Sequence, residues 1–434
     1  MMSSSQTIYA LATPLGGAIA VIRISGDKTL PVLRKIFTGK IDHSKLYHGM
    51  LVSGDEPKDD IMAVFFRSPN SYTGEDMAEL HIHGSRAIAD EVFMLLSENG
   101  LRPAQAGEFS LRAFQNGKMN LTQAEAVMDL ISSTAKRSAA SAMLQLTGKL
   151  FTVIHEIQEK LINILAEIDA AIDYPDEMED SNVLPQVFEV ERDISDLLSH
   201  AMQGRYLREG FTVAIAGKPN VGKSSLLNAL ISEDRAIVTD IAGTTRDIIE
   251  ADAAFSGVPV HLCDTAGLHE ASDQAEKIGI ERARRAVECA DIVYVVIDLS
   301  MPFVPESEEL LSQTRDKKRI IVLCKSDIAK SVPEFPHDTV CVVSTVTGEG
   351  IQTLKEKTAE MVCPSDESGI ITNMRHISCL RAAQKSLHDA CSAVDTDCMA
   401  QDLHMALSAL GNITGDSVDE DVITRIFERF CVGK

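Results

Sequence analysis

Apolar residues recur at steps of three and four between positions 150 and 172, at Leu150, Ile154, Ile157, Leu161, Ile164, Ile168 and Ile172. That spacing keeps them on one stripe and predicts a long amphipathic helix. Asp173-Tyr174-Pro175-Asp176-Glu177 ends it with a proline and an acidic turn. Ahead of it, Thr122-Gln123-Ala124-Glu125 reads as a capping box, and Leu121, Val127, Leu130 and Ile131 carry the helix on. Another helix is expected over residues 184–208. The helical pattern returns after Pro364. In the last helix Ser417 and Glu420 read as a second capping box, with Val422, Ile423, Ile426, Phe427 and Phe430 as the apolar stripe.

The period is different elsewhere. Before residue 119, short β-rich runs at 18–24, 61–66 and 79–83 mix with Gly and Pro punctuation and a helical segment at 87–96, which predicts an α+β domain. Runs rich in β-branched residues at 211–216, 258–263, 292–297, 320–324 and 340–343 alternate with helical patterns, as at 225–231 and 278–287. Such alternation predicts a doubly wound parallel sheet. A helical stretch lies on each side of that block. The economical plan is an N-terminal domain over 1–118, a helical domain from 119–208 plus 363–434, and a sheet domain inserted at 209–362, since domain termini often lie close together.

Composition narrows the function classes. The 434 residues leave room for roughly two to four domains. A formal charge of −23 argues against gripping nucleic acid over a broad basic surface, while RNA bound by a local patch or through a partner stays open. Nine cysteines without a C-x-x-C suit a reducing cytoplasm rather than a zinc ribbon or a disulfide scaffold. No apolar run has the length of a membrane span, and Pro14, Gly16 and Gly17 break the fairly apolar segment 8–22, so neither a membrane anchor nor a signal peptide is expected.

The chemistry concentrates in Gly217-Lys218-Pro219-Asn220-Val221-Gly222-Lys223-Ser224, between a predicted strand and a predicted helix. This fits G-x-x-x-x-G-K-[ST]. The glycines let backbone N–H groups turn inward, and the helix start adds positive potential. Lys223 can reach β- and γ-phosphates, and the Ser224 hydroxyl can ligate Mg²⁺. Gly243-Thr244-Thr245-Arg246-Asp247 follows in a polar loop, where Thr245 offers a hydroxyl to Mg²⁺ and an N–H to the γ-phosphate. Asp264-Thr265-Ala266-Gly267 ends the next strand, with Asp264 placed to hold Mg²⁺ through water and the Gly267 N–H to sense the γ-phosphate. Cys324-Lys325-Ser326-Asp327 stands where guanine readers carry N-K-x-D. Asp327 can accept from guanine N1 and N2, and the Lys325 stem can cover the base. Cys324 loses the Asn amide contact, at a cost of about 0.5–1.5 kcal/mol. Ser344-Thr345-Val346 can supply N–H groups to guanine O6. Leu268 cannot orient water, so another group must; Glu270, Asp273 and Glu276 are the local carboxylates, and the sequence does not choose among them.

Three polar features in the first domain stand out. Arg23 interrupts a Val/Ile strand, Glu79 and His81 share one face of another, and Lys118 follows the turn signal Asn116-Gly117. Singly, each reads most simply as an exposed or satisfied residue. The His81/His83 pair has no further ligands at metal-binding spacing.

Together these features resemble the tRNA-modification GTPase family known as MnmE or TrmE. The resemblance spans nearly the whole chain: Arg23-Ile24-Ser25-Gly26, Ser71-Tyr72-Thr73-Gly74-Glu75-Asp76, Gly107-Glu108-Phe109-Ser110, the GTPase motifs, and the ending Cys431-Val432-Gly433-Lys434, which is similar to the family's C-[IL]-G-K. It implies an inserted Ras-like P-loop GTPase domain and a homodimer formed through a folate-binding N-terminal domain. It further implies joint action with the flavoprotein MnmG (GidA), which carries FAD, in a heterotetramer. The implied reaction sets an aminomethyl or carboxymethylaminomethyl group on C5 of a tRNA wobble uridine, the one-carbon unit coming from formyl- or methylene-tetrahydrofolate. On this resemblance Arg23, Glu79, Lys118 and Lys434 become folate contacts. Asn220, Val221, Gly222, Lys223, Ser224, Ser225, Thr239, Thr244, Thr245, Asp264, Thr265, Ala266, Gly267, Lys325, Asp327, Ser344 and Thr345 become GTP contacts. Asn220, Thr239, Ile241 and Thr244 become ligands of K⁺, which stands in for an arginine finger as two G domains meet. Glu276 matches the family's water-orienting carboxylate, and Cys431 is a candidate nucleophile, the plain alternative being a thiol at a helix end. Cys324 and Thr345 depart from the family's usual Asn and Ala. The competing class is a ribosome-assembly switch of the Era or Der type. It shares the GTPase motifs but usually carries a basic RNA-binding domain; the −23 charge, the Arg23/Glu79/Lys118 set and the Cys-Val-Gly-Lys tail favour the MnmE/TrmE resemblance. A third reading, a plain scaffolding GTPase, leaves those polar residues without a use.

Overall fold

The computed structural model describes residues 6–173, 183–231, 251–264, 284–302, 305–329, 332–333, 335–336, 338–364, 369–393 and 395–433. Chain contacts divide it into two compact units. One holds the chain up to Met128, Phe151–Gln158 and the chain from Ser408 onward; the other holds Asp129–Leu150 and Glu159–Leu407.

The first unit is built on a six-stranded sheet of order β3-β4-β5-β2-β1-β6. Its strands are β1 (Ile8–Leu11), β2 (Ile19–Ser25), β3 (Leu46–Ser53), β4 (Glu56–Phe66), β5 (Met77–His83) and β6 (Arg102–Pro103). Alternation along the strands decides what each face does. Ala20, Ile22 and Ile24 of β2, Ala78, Leu80 and Ile82 of β5, and Ile61, Ala63 and Phe65 of β4 are buried. They pack with Val32, Leu33 and Ile36 of α1 (Thr29–Ile36) and with Ala89, Val92 and Leu96 of α2 (Arg86–Glu98). The residues between them on β2 and β5 therefore face the other way, Arg23, Glu79 and His81 among them. In the same unit α3 (Glu108–Gln115) and α4 (Leu121–Ser132) meet the helix Glu420–Phe427, where Leu121, Ala124, Phe427 and Phe430 form a small core.

The second unit carries another six-stranded sheet, of order β12-β11-β10-β7-β9-β8. Its strands are β7 (Phe211–Ala216), β8 (Ala251–Phe255), β9 (Val258–Asp264), β10 (Ile292–Asp298), β11 (Arg319–Cys324) and β12 (Thr339–Val342). Both faces are covered. Phe211, Val213 and Ile215 look into one core, and Ala214, Ala216, Val293 and Val295 into another. This is the doubly wound, Ras-like arrangement that the motifs predict. One strand departs from it: β8 pairs antiparallel to β9 at the sheet edge. Strand order reverses at β7, whose neighbours are β9 and β10. A ligand crevice forms at such a switch point.

The long helix predicted from the apolar stripe runs over Lys149–Asp173. Three helical expectations are corrected. The first capping box is Asn120 with Gln123, not Thr122 with Glu125. Asn120 Oδ1 accepts from the Gln123 N–H at 2.8 Å, and Gln123 Oε1 accepts from the Asn120 N–H at 3.0 Å. Asn is as good a cap as Thr, and only Asn120 lies just outside the helix. The last helix is capped from Asp419 rather than Ser417, without a side-chain cap bond. The stretch 184–208 is two helices, Leu184–Ser199 and Ala201–Glu209, separated at His200. The second is held close to its neighbour at Gly204, where a Cβ would lie 1.8 Å from the Ile371 carbonyl oxygen.

Candidate functional site

The phosphate-loop sequence lies between β7 and the helix Lys223–Ile231, at the switch point. Gly217 starts the loop so close to β10 that a Cβ would lie 2.8 Å from the Val296 carbonyl oxygen. Asn220 takes a left-handed φ of 65°, and Gly222 one of 104°. Lys223 is buried, and its Nζ donates to the Gly217 and Lys218 carbonyl oxygens at 2.7 and 2.6 Å. Burial pushes its pKa down, with the nearby Asp264 charge opposing. The Ser224 hydroxyl donates to Asp264 Oδ2 at 3.2 Å. β9 ends at Asp264 opposite Ile215 of β7, which brings that carboxylate to the loop. Ser224 and Ser225 are exposed at the helix start. The sequence-predicted residues Asn220 to Ser225 and Asp264 are thus gathered in one place.

The second cluster sits at the ends of β10 and β11. Lys325 has a left-handed φ of 62° directly after β11, and its Nζ donates to Asp298 Oδ2 at 2.5 Å. Asp298 ends β10 and pairs in register with Cys324. Burial pushes the Asp298 carboxyl up, but the hydrogen bonds from Lys325 and Ser300 outweigh it and hold the pKa below the usual carboxylate range. The Cys324 thiol is buried; desolvation and the Asp298 charge push it up to about 12. Ser344 Oγ donates to Asp327 Oδ1 at 2.8 Å, and accepts from the Val346 and Thr347 N–H groups at 3.3 and 3.2 Å. Asp327, Ser344 and the turn holding Thr345 are therefore tied together. Thr239, Ile241, Thr244, Thr245, Thr265, Ala266, Gly267, Glu276 and Lys434 lie outside the described residues, as does most of the predicted helix at 278–287.

A polar site of a different kind occupies the first unit. Arg23 on β2 lies opposite Glu79 on β5. Its Nε and Nη2 donate to Glu79 Oε1 at 3.0 and 2.8 Å, and its Nη1 donates to the Gly433 carbonyl oxygen at 3.3 Å. The guanidinium also lies 5.4 Å from the Tyr72 ring centroid and 5.9 Å from that of Phe109. The C-terminal tail reaches it by docking on the loop before α3: Val432 bridges Ala106, and the Gly107 N–H donates to the Cys431 carbonyl oxygen at 3.4 Å. His81 Nε2 lies 3.9 Å from Glu79 Oε2 on the same face. Lys118 does not touch Arg23 directly. Its Nζ donates to the Pro69 carbonyl oxygen at 3.0 Å, on the loop that carries Tyr72 to Arg23.

Behind this site is a buried charge network. Arg112 donates to Glu75 Oε2 at 3.0 Å and to Glu108 Oε1 at 2.8 Å, while Arg102 donates to both Glu108 oxygens. Burial pushes Glu108 up, but the bonds from Arg102, the Gln105 N–H and Arg112 outweigh it and hold the carboxyl low. The Tyr72 hydroxyl pairs with Ser110 Oγ at 2.8 Å.

The family model described as "GTP-binding protein TrmE N-terminus" matches residues 7–118, and that described as "MnmE helical domain" matches residues 121–431. The tRNA modification GTPase MnmE of Lactiplantibacillus plantarum is 39% identical over 99% of this chain and 98% of its own. The chain belongs to the MnmE/TrmE family of GTPases. Its relative of the same description in Carboxydothermus hydrogenoformans is 40% identical over 99% of each chain. Among solved structures, the G domain of the T. maritima FeoB iron transporter is 33% identical over 35% of this chain and 97% of its own, with a TM-score of 0.27. No helix among the described residues is long and apolar enough to cross a membrane.

Sequence reasoning missed four residues of these clusters. Tyr72 and Phe109 sit inside quoted motifs, but nothing in the pattern aims their rings at Arg23. Gly433 acts through a carbonyl, which no side-chain reading finds. Asp298 ends a strand far from Lys325 in sequence, and only the β10–β11 register joins them.

Proposed function

We propose that the protein hydrolyses GTP to drive formation of an aminomethyl or carboxymethylaminomethyl group at C5 of the wobble uridine of tRNA. In this reading it is a cytoplasmic homodimer that works with the FAD-carrying flavoprotein MnmG (GidA) in a heterotetramer. The domain plan is an N-terminal folate domain over 1–118, a helical domain of 119–208 plus 363–434, and a G domain at 209–362. The observation that carries the reading is the pairing of two sites in one chain: a phosphate loop with Lys223, Ser224 and Asp264 gathered, and a C-terminal tail docked on Arg23, which Glu79 holds.

The residues present fit the groups this reading requires. The Ser224 hydroxyl and the Asp264 carboxylate lie side by side at the helix start, as a Mg²⁺ site with Thr245 needs. The Lys223 ammonium, which donates to the Gly217 and Lys218 carbonyl oxygens of the loop, would bind phosphate oxygens together with Asn220, Val221, Gly222 and Ser225. Asp327, fixed by Ser344, accepts from the guanine edge, while Lys325 covers the base and Thr345 lines the O6 side. Asn220 is exposed, as a K⁺ ligand acting with Thr239, Ile241 and Thr244 must be. Bound K⁺ would supply the positive charge that an arginine finger gives elsewhere. Thr265, Ala266 and Gly267 complete the γ-phosphate contacts, and Glu276 orients the attacking water. A tetrahydrofolate derivative would be held by Arg23, Glu79, Lys118 and Lys434, of which the three basic groups suit its anionic glutamate tail, and would supply the one-carbon unit. Cys431 is exposed beside the docked tail and is assigned as the candidate nucleophile.

Nucleoside analysis of tRNA from cells lacking the protein tests the function. Loss of C5-modified wobble uridines is expected, and a normal complement of them would overturn the proposal.

A further inference from the structure

Lys325 is the base-covering residue in the proposed GTP site, and the following inference rests on that reading. We propose that Asp298 is a positioning residue for guanine: it anchors the Lys325 ammonium so that the lysine stem is laid out as a shelf for the base. In this chain it thereby takes over orientation that a side-chain amide at position 324 would otherwise provide.

Four observations carry this. Asp298 and Cys324 are direct partners across β10 and β11, and the Leu299 N–H donates to the Cys324 carbonyl oxygen at 3.0 Å, so the two strand ends are locked together. Asp298 spends both oxygens on orientation: Oδ2 takes Lys325 Nζ at 2.5 Å, and Oδ1 takes the Ser300 N–H at 2.8 Å and its hydroxyl at 2.5 Å. The anchor is more enclosed than the lysine it holds, with side-chain exposures of 9% for Asp298 and 37% for Lys325. Finally, position 324 offers only a buried thiol. A thiol is a weak donor and a weak acceptor, whereas an amide offers two donors and a good acceptor. A lysine stem has many rotamers, and fixing its far end in advance removes an ordering cost that nucleotide binding otherwise bears.

The test uses the full chain and a fluorescent GDP analogue, with the Asp298→Asn, Lys325→Met and double variants. Asp298→Asn is expected to weaken GDP binding about tenfold, since the bond from Lys325 loses its anionic acceptor and the ammonium its counter-charge. KM for GTP rises while kcat holds. Binding of tripolyphosphate, which has no base, stays at the wild-type value. Asp298→Asn adds nothing in the Lys325→Met background. An unchanged GDP affinity overturns the proposal, as does an equal loss for tripolyphosphate or an equal loss in the Lys325→Met background. If Asp298→Asn does not fold, Asp298→Ser takes its place under the same criteria, and unchanged GDP affinity in Lys325→Met also overturns the proposal. Failure of the folded wild-type chain to bind the GDP analogue is a separate outcome. It overturns the GTP reading on which the inference stands.

Discussion

Arg23 Nη1 donates to the Gly433 carbonyl oxygen at 3.3 Å, across 410 positions of sequence. The contact ties the C-terminal tail to a strand near the start of the chain. Arg23 is held on three sides, by Glu79, by the Tyr72 and Phe109 rings, and by the tail. A carbonyl gives the tail an acceptor that does not depend on side-chain identity, and the backbone geometry that presents it depends on glycine.

Gly433 has a φ of 99°, and a Cβ there would lie 2.2 Å from the Leu11 carbonyl oxygen. Gly433→Ala must therefore push the tail away from β1 and take its carbonyl from Arg23. The expected result is a loss of about tenfold in binding of 5-formyl-tetrahydrofolate, read by calorimetric titration, the size expected for one charge-assisted hydrogen bond. GTP hydrolysis should not change. Unaltered folate affinity would separate the tail from the Arg23 site.

The Glu108 carboxylate sits between Arg102 and Arg112 and is held low by them against burial. A depressed carboxyl stabilises the fold above its unfolded pKa, and that contribution disappears as pH falls through the folded value. Glu108→Gln should cost about 3 kcal/mol at pH 7, because it leaves two guanidiniums short of their counter-charge. Below about pH 4, where the wild type is losing the same contribution, the difference between the two should shrink. Urea unfolding at several pH values reads this directly. A constant gap across the range would show that the network acts through packing rather than charge.

Much of this architecture is legible in the chain because it rests on local rules. The stripe from Leu150 to Ile172 gives its helix, and the alternation in β2 and β5 puts Arg23 and Glu79 on the face opposite the core. The phosphate loop is legible because its glycines answer to backbone geometry. What sequence cannot show depends on neighbours remote in the chain. Asn120 and Thr122 are both good caps, and the end of the helix chooses between them. β8 is one short strand among several, and its antiparallel pairing follows from the two-residue turn Ser256-Gly257 that returns it against β9. Asp298 meets Lys325 only through strand register, and Gly433 meets Arg23 only through a tail that packs against the end of β1.

Cys324 offers a test of the base-reading cluster at a single atom group. With the thiol pushed up to about 12, the thiolate fraction at pH 8 is about one in ten thousand. Iodoacetamide at pH 8 should modify the exposed Cys289, Cys398 and Cys431 first, with Cys324 reacting orders of magnitude more slowly, as peptide mass spectrometry can resolve. Cys324→Asn should restore the missing amide contact and tighten GDP binding by about threefold to tenfold. Prompt alkylation of Cys324 would show that the β11 end opens to solvent. No gain from Asn would show that guanine is already fully held by Asp327 and its partners.

Hydrolysis should separate cleanly from binding at Glu276. Leu268 follows the Asp264-Thr265-Ala266-Gly267 motif and has no group that can orient water, so the role passes to a carboxylate. Glu276→Ala should keep GTP affinity within about twofold, since a water-orienting carboxylate acts in the transition state rather than on bound GTP, while kcat falls by about a hundredfold or more. The same assay run in K⁺ and in Na⁺ should show hydrolysis several-fold faster in K⁺, with the difference shrinking in an Asn220→Ala variant. Retained turnover in Glu276→Ala moves the role to Glu270 or Asp273. Equal rates in the two salts remove the cation from the mechanism, and the positive charge that phosphoryl transfer needs must then come from a side chain of this protein or its partner copy.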